Sequence, residues 1–292
     1  MYQQFYNLEV LPFENTPSPR FFFASEQHRE ALAAIEYTIR MRKGIALVTG
    51  DIGSGKTTVC RTMQHQCRNT ATVVQVMHGH GSGFELLRHI LRTLDVTLRK
   101  TDDHPRMLQR LREYLMEQAN RHRPVVLFVD EAQTLCDEAL EELRLLTNFD
   151  TASQKLIQVV LVGQPELRER IRSHKLSALR QRIVMAKRLA PLTQQDTEDY
   201  IAHRIRAASV DPQNVRVQFT PEAVLAIYDF TAGIPRLINV ACDNCLLLGF
   251  VRETRQIVPA IVRRVIDDMV PSFDTSDWVQ GPETALRLAG NF

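Results

Sequence analysis

Apolar residues along this chain fall into two textures, and the change comes near Pro191. Before it, short unbroken apolar runs alternate with stretches whose apolar residues recur every three or four positions. The runs IALVTG (45–50), ATVVQVM (71–77), VVLFV (125–129) and LIQVVLVG (156–163) read as strands, the last two buried on both faces as in a parallel sheet. Between them, Ala31, Leu32, Ile35 and Ile39 mark a helix that Ser25 caps and Gly44 ends. Phe84, Leu87, Ile90, Leu91 and Leu94 mark another, and Met107, Leu108, Leu111, Leu115 and Met116 a third. A further helix, DEALEELRLLTNF, opens with Asp137 as its cap. This alternation predicts an α/β fold with a doubly wound parallel sheet.

Past Pro191 the pattern is helical alone. One helix starts from Thr193 or Asp196, and Thr220-Pro221 is a cap followed by a first-turn proline. Gly233-Ile234-Pro235 then leads into a long apolar helix, and a last helix covers roughly 257–270. The expected organisation is an N-terminal arm over 1–24, an α/β domain over 25–190, a small all-α domain over 191–270 and a polar tail over 271–292. Prolines 12, 17 and 19 argue for an extended arm packed by its aromatic side chains. The tail holds the only tryptophan, Trp278, either an anchor or a partner-binding element.

Composition narrows the function little. Lysine and arginine total 36 against 34 acidic residues, so the net charge of +2 makes no global case for nucleic acid or membrane binding. One local shift stands out: Arg168, Arg170, Arg172, Lys175, Arg180, Arg182, Lys187 and Arg188 face only Glu166 and Glu169 across 166–188. That run is a solvated helical face, a source of arginine for a neighbouring subunit, or a phosphate-contacting surface. No apolar run is long enough to span a bilayer and no targeting segment is evident, so a cytoplasmic protein is expected, peripheral to a membrane only through a partner. Five scattered cysteines suit a reducing compartment, and Cys242 and Cys245 read as helix packing. His78 and His80 lack a third metal ligand nearby and read as a loop.

The chemistry enters with the loop Gly50-Asp51-Ile52-Gly53-Ser54-Gly55-Lys56-Thr57-Thr58. A strand, then G-x-x-x-x-G-K-[ST], then a helix is the Walker A arrangement. Glycines let backbone N–H groups wrap a phosphate, and the following helix points its positive end at the same anion. Lys56 reaches the β- and γ-phosphates and the Thr57 hydroxyl ligates Mg²⁺. The strand VVLFV ends in Asp130 and Glu131, which places Asp130 on Mg²⁺, through water, and Glu131 where it can polarise an attacking water. Gln164 ends the next strand at the same edge, either to hydrogen-bond the γ-phosphate or attacking water, or simply to turn the chain before Pro165. Arg236 lies in the first turn of an apolar helix, where a cation opposes the helix dipole. Binding a phosphate in the cleft between the two domains would account for it. Together these residues predict binding and hydrolysis of ATP with Mg²⁺.

The ordered set LVTGDIGSGKTT, LFVDEAQTL, VVLVGQPELRERI, LRQRI, LAPLT and GIPRLIN resembles AAA+ ATPases of the ExeA/GspA type, found with bacterial type II secretion and pilus systems. YNLEVLPFENTPSPRFFF is similar to that family's N-terminal segment, so the resemblance spans about residues 2–265. It implies a P-loop AAA+ domain with a helical lid. Gln164 would be the sensor 1 residue, Arg236 the sensor 2 residue on the γ-phosphate, and Arg182, or else Arg180, an arginine finger acting in trans. It also implies a homo-oligomer, a ring or a filament, with secretion or pilus assembly proteins as partners. Longer members continue into a transmembrane helix and a peptidoglycan-binding domain, so a role in opening the cell wall does not carry over. The same core is similar to TniB/TnsC-type transposition regulators, whose partners are duplex DNA and a transposase. An oligomeric ATPase, an ATP-dependent DNA-binding switch and a nucleotide-gated scaffold with little turnover therefore stand as the readings, in that order.

Overall fold

The computed structural model describes residues 1–16, 18–76, 81–152 and 154–269; His78, His80 and the 271–292 segment with Trp278 lie outside the described residues. In chain order the elements are α1 (Tyr2–Tyr6), α2 (Glu26–Arg40), β1 (Ile45–Gly50), α3 (Lys56–Cys67), β2 (Thr72–Val76), α4 (Gly83–Thr93) and α5 (His104–Asn120). Then follow β3 (Val125–Val129), α6 (Asp137–Leu146), β4 (Ile157–Gly163), α7 (Pro165–Arg172), α8 (Ser177–Arg180) and β5 (Ile183–Leu189). The remainder is α9 (Gln194–Ala208), β6 (Gln218–Phe219), α10 (Pro221–Thr231), α11 (Pro235–Val251), β7 (Gln256–Ile257) and α12 (Pro259–Met269). The described residues form two compact units. One comprises Glu26–Gly50 and Lys56–Leu189; the other comprises Met1–Ser25, Asp51–Gly55 and the described residues from Ala190 on.

In the first unit five parallel strands run in the order β2-β3-β4-β1-β5. β1, β3 and β4 are buried along their whole length, which is why their sequences are predominantly apolar and not alternating, with Thr49 and Gln158 as buried polar exceptions. Leu86, Leu87, Ile90 and Leu91 of α4 and Leu111 and Leu115 of α5 pack into the same core as Leu127 and Val159. Each such buried side chain contributes about 1.5–3 kcal/mol of transfer free energy. Met116, expected on this stripe, is instead 39% exposed, because the packed face of α5 runs through Met107, Leu111 and Leu115. The N-cap of α6 is Cys136, whose sulfur accepts from the Ala139 N–H. Asp137, expected to be the cap, sits in the first turn and pairs with Arg170 at 2.7 Å.

The segment 166–188 is more than a solvated helical face. After α7 and α8 it forms β5, an edge strand parallel to β1. Its residues alternate in burial from Ile183 to Lys187, and Val184 is 47% exposed. Lys187 and Arg188 hide this strand from a hydropathy reading, and Lys187 reaches Glu30 of α2 at 2.7 Å.

In the second unit α9 to α12 share a core in which Ile227, Ile238, Cys242, Cys245 and Val262 are fully buried. Burial pushes the Cys245 thiol up to about 12 and Cys242 well above its ordinary range. Both stay protonated and act as small apolar groups. α9 opens with a reciprocal capping box between Thr193 and Asp196, so both expected caps take part. Two short parallel strands, β6 and β7, interrupt the expected all-helical texture. The arm also differs from the extended segment expected: its first residues form α1, ahead of the first proline, and Asn7 closes that helix with φ 59°. Pro19–Phe21 adds a single 3₁₀ turn.

Candidate functional site

Because β1, β3 and β4 are parallel, their carboxyl ends leave the sheet at one edge. That edge carries Gly50, Asp130 and Gln164, and ligands bind there in open α/β sheets. α3 begins at Lys56 immediately beyond it. The Lys56 ammonium is buried, 6% exposed, and donates to the Gly50 carbonyl at 2.8 Å. A buried ammonium at the positive end of a helix fits an anion of high charge.

Thr57 Oγ1 lies 3.0 Å from Asp130 Oδ2 and donates to it. A hydroxyl and a carboxylate brought together by elements 73 residues apart form a hard oxygen pair, the donor type Mg²⁺ takes. The residues therefore fit Mg²⁺. Cys60, one turn further along α3, is held protonated by burial and then by the negative charge of Asp130.

Glu131 adopts a left-handed backbone, φ 51°, and its N–H donates to Asp130 Oδ1 at 2.9 Å. The kink turns the second carboxylate away from the first, at a cost of about 1–3 kcal/mol for a non-glycine residue held there. Glu131 Oε2 accepts from Gln133 Nε2 at 2.5 Å and from Gln164 Nε2 at 3.4 Å. Gln133 Oε1 in turn accepts the Gln164 N–H at 3.1 Å. Gln164 thus lies beside Glu131. Gln133 went unrecognised as a site residue in the sequence, although it belongs to the DEAQ run. Its signal was its place two residues beyond Glu131, on the 3₁₀ turn Ala132–Thr134.

Asp51, Ile52, Gly53, Ser54 and Gly55 belong to the second unit. Gly53 and Gly55 have φ 81° and 92°, the left-handed region that glycine enters freely. A Cβ on Gly53 would lie 2.7 Å from the Arg236 Cβ and 3.1 Å from Ile234 Cγ2. The Arg236 N–H points at the Gly53 carbonyl at 3.4 Å. Arg236 is the second residue of α11, and this packing brings it onto the phosphate loop. Thr58 continues α3, and Ile52 is 38% exposed at the loop tip.

Arg180 and Arg182 are not part of this cluster. Arg180 ends α8 and donates to the Arg172 carbonyl at 2.9 Å. The Arg182 carbonyl accepts the Ile45 N–H, so Arg182 lies level with the start of β1 while Gly50 ends it. At about 3.3 Å per residue the two edges are on the order of 16 Å apart.

Comparison with known proteins adds a family context. A family model described as an AAA domain matches residues 39–171. General secretion pathway protein A of Aeromonas hydrophila is 35% identical over 289 residues, covering 99% of this chain and 52% of that protein. The chain thus spans about half the length of this curated relative. Among solved structures, an Aeropyrum pernix ORC2 protein in ADPNP–ADP complexes superposes with a TM-score of 0.65 at 16% identity, covering 89% of this chain and 71% of that one. The Cdc6p of Pyrobaculum aerophilum gives 0.64 at 16%, covering 88% and 70%. A Thermotoga maritima RuvB variant gives 0.52 at 18%, covering 84% and 70%. At these identities the structural similarities carry the fold alone.

Proposed function

We propose that the chain, which matches an AAA domain over residues 39–171 and is similar to general secretion pathway protein A, is a Mg²⁺-dependent, oligomeric AAA+ ATPase. The observation that carries the reading is the pairing of Thr57 with Asp130 beside a buried Lys56 and a hydrogen-bonded Glu131. Lys56 and the loop N–H groups bind the β- and γ-phosphates. Thr57 and Asp130 would hold Mg²⁺, which supplies charge neutralisation at the phosphate oxygens. Glu131 accepts a proton from water as the water oxygen attacks the γ-phosphorus, and ADP leaves with the bridging oxygen. Gln164, level with Glu131, orients that water or the γ-phosphate, and Arg236 contacts the γ-phosphate from α11.

Arg182, with Arg180 as the other choice, serves the site of a neighbouring copy. The register supports this, since in its own chain Arg182 is at the wrong edge of the sheet. The work of the ATPase is assembly of a bacterial envelope secretion or pilus system, at the cytoplasmic side. No helix among the described residues is long and apolar enough to cross a membrane. Phosphate release by purified protein tests the chemistry: Asp130→Asn should lose most Mg²⁺-dependent turnover, and activity equal to the parent in EDTA would sink it.

A second reading has its own observation. Arg168, Arg172, Lys175 and Arg180 are exposed on and beside α7 and α8, and none has a carboxylate partner among the described residues. Such a cationic ridge suits the phosphates of duplex DNA and an ATP-dependent DNA-binding switch. Binding measured with ATP across a salt series decides it: a steep salt slope supports DNA, and no binding at low salt removes it.

A further inference from the structure

The arm preceding α2 is held along α11 by a chain of side chains that the reaction does not use directly. Tyr2 hydrogen-bonds Asp243, and the Tyr6 hydroxyl faces the Leu246 and Thr254 carbonyls at 3.1 and 3.2 Å. By residue 15 the arm has advanced along the helix, where Asn239 Nδ2 donates to Asn15 Oδ1 at 3.0 Å. Asn239 lies three residues, nearly one helical turn, after Arg236.

At the centre of this chain is Arg204 of α9, a cation only 5% exposed. Among the described residues it pairs with no carboxylate. Its donors go to neutral acceptors: Nε to the Pro12 carbonyl at 2.5 Å, Nη2 to the Glu14 carbonyl at 2.9 Å and Nη1 to the Tyr200 hydroxyl at 2.8 Å. Phe21, Tyr200 and Phe13 line it with ring centroids 4.8, 5.6 and 5.9 Å away. The Tyr200 hydroxyl in turn donates to Asn239 Oδ1 at 2.8 Å. Residues 12–15 of the arm, Arg204, Tyr200 and Asn239 thus close a ring of hydrogen bonds. A lysine could not replace the guanidinium, whose planar fork satisfies three acceptors at once. A buried cation is a costly way merely to fix a loop, since apolar packing would do so without desolvating a charge.

We propose that Arg204, Tyr200 and Asn239 are positioning residues that brace α11 against the arm and so hold Arg236 on the phosphate loop. The inference rests on the reading that Arg236 contacts the γ-phosphate. The brace then acts on the nucleoside triphosphate and not on the diphosphate, because only the former offers the group Arg236 binds. By reciprocity, a triphosphate bound at the loop tightens the arm.

Tyr200→Phe tests this in the full chain, since it keeps the ring and its contact with Arg204 and deletes only the hydroxyl. Affinities for ADP and for a non-hydrolysable ATP analogue, with melting temperature, are measured in the parent, Tyr200→Phe, Arg236→Ala and the double variant. Tyr200→Phe should reduce the preference for the triphosphate by about five- to tenfold, with ADP affinity within about twofold of the parent. The double variant should be no worse than Arg236→Ala, because both changes remove one coupled interaction. Arg204→Lys should repeat the Tyr200→Phe result. If Arg236→Ala loses the preference while Tyr200→Phe keeps it, the brace is wrong and Arg236 stands. Equal losses for both nucleotides, additive in the double variant, would also overturn the brace, since a purely structural role predicts them. An Arg236→Ala protein with its preference intact removes the Arg236 reading, and the brace with it.

Discussion

Replacing Gln133 with leucine tests whether Glu131 is oriented by its neighbours. The side-chain amide makes two bonds at the site, Nε2 to Glu131 Oε2 at 2.5 Å and Oε1 from the Gln164 N–H at 3.1 Å. Leucine is of similar volume but makes neither. A hydrogen bond to a charged group contributes about 1.5–3 kcal/mol, and Gln164 Nε2, at 3.4 Å, is too long to compensate. If that energy holds the carboxylate in its productive orientation, kcat falls by about 10- to 150-fold at 1.36 kcal/mol per decade. Phosphate binding uses other groups, so the Kd for ATP should stay within about twofold. The assay is steady-state phosphate release at saturating ATP and Mg²⁺, with Kd measured separately and a melting curve to establish folding. A folded Gln133→Leu protein turning over within twofold of the parent would refute the orientation argument. A rate above the parent would show that Gln133 restrains Glu131 instead of aiming it.

Three other outcomes follow from the same geometry. Gly53→Ala forces a left-handed φ of 81° on a residue with a Cβ, at about 1–2 kcal/mol, and sets that Cβ 2.7 Å from the Arg236 Cβ. ATP affinity should drop at least about tenfold; isothermal titration giving parental affinity would contradict the close approach. His203 is held below its ordinary pKa by burial, then by Arg204 and Arg206. The unfolded chain therefore binds the proton first as pH falls, so stability is lost below about pH 6.5. The melting temperature should drop more between pH 7.5 and pH 5.5 in the parent than in His203→Phe, and parallel curves would remove the assignment. Finally, a finger supplied by Arg182 of a neighbour makes specific activity rise with protein concentration. Comparable activity at dilute and concentrated protein would show that one copy suffices.

β1, β3, β4 and the phosphate loop were legible because strands buried on both faces are predominantly apolar, with Thr49 and Gln158 the polar residues inside them. Asp130 and Gln164 could be placed at the sheet edge for the same reason, since each follows such a run directly, and Glu131 is one residue further on. β5 was not legible: as an edge strand it carries Lys187 and Arg188, and its charge resembles that of the helices before it. α1 is hidden in the sequence because prolines 12, 17 and 19 argue for an extended arm, while the helix forms ahead of them. Gln133 escaped notice because its role depends on a backbone kink at Glu131 that brings three amide and carboxylate groups together. No spacing rule shows such a kink. Arg204 is similar, since a basic residue in a helical pattern reads as solvated until the arm is seen to cover it.

In the proposed reaction Glu131 is the general base at a site built by Lys56, Thr57 and Asp130. The most direct test of that role is multiple-turnover phosphate release by the parent and by Glu131→Gln at matched concentration, with ATP binding measured on both. Glu131→Gln should bind ATP with Mg²⁺ as the parent does and turn over about 10²- to 10⁴-fold more slowly, the usual contribution of a general base. Turnover at the parental rate would contradict that role.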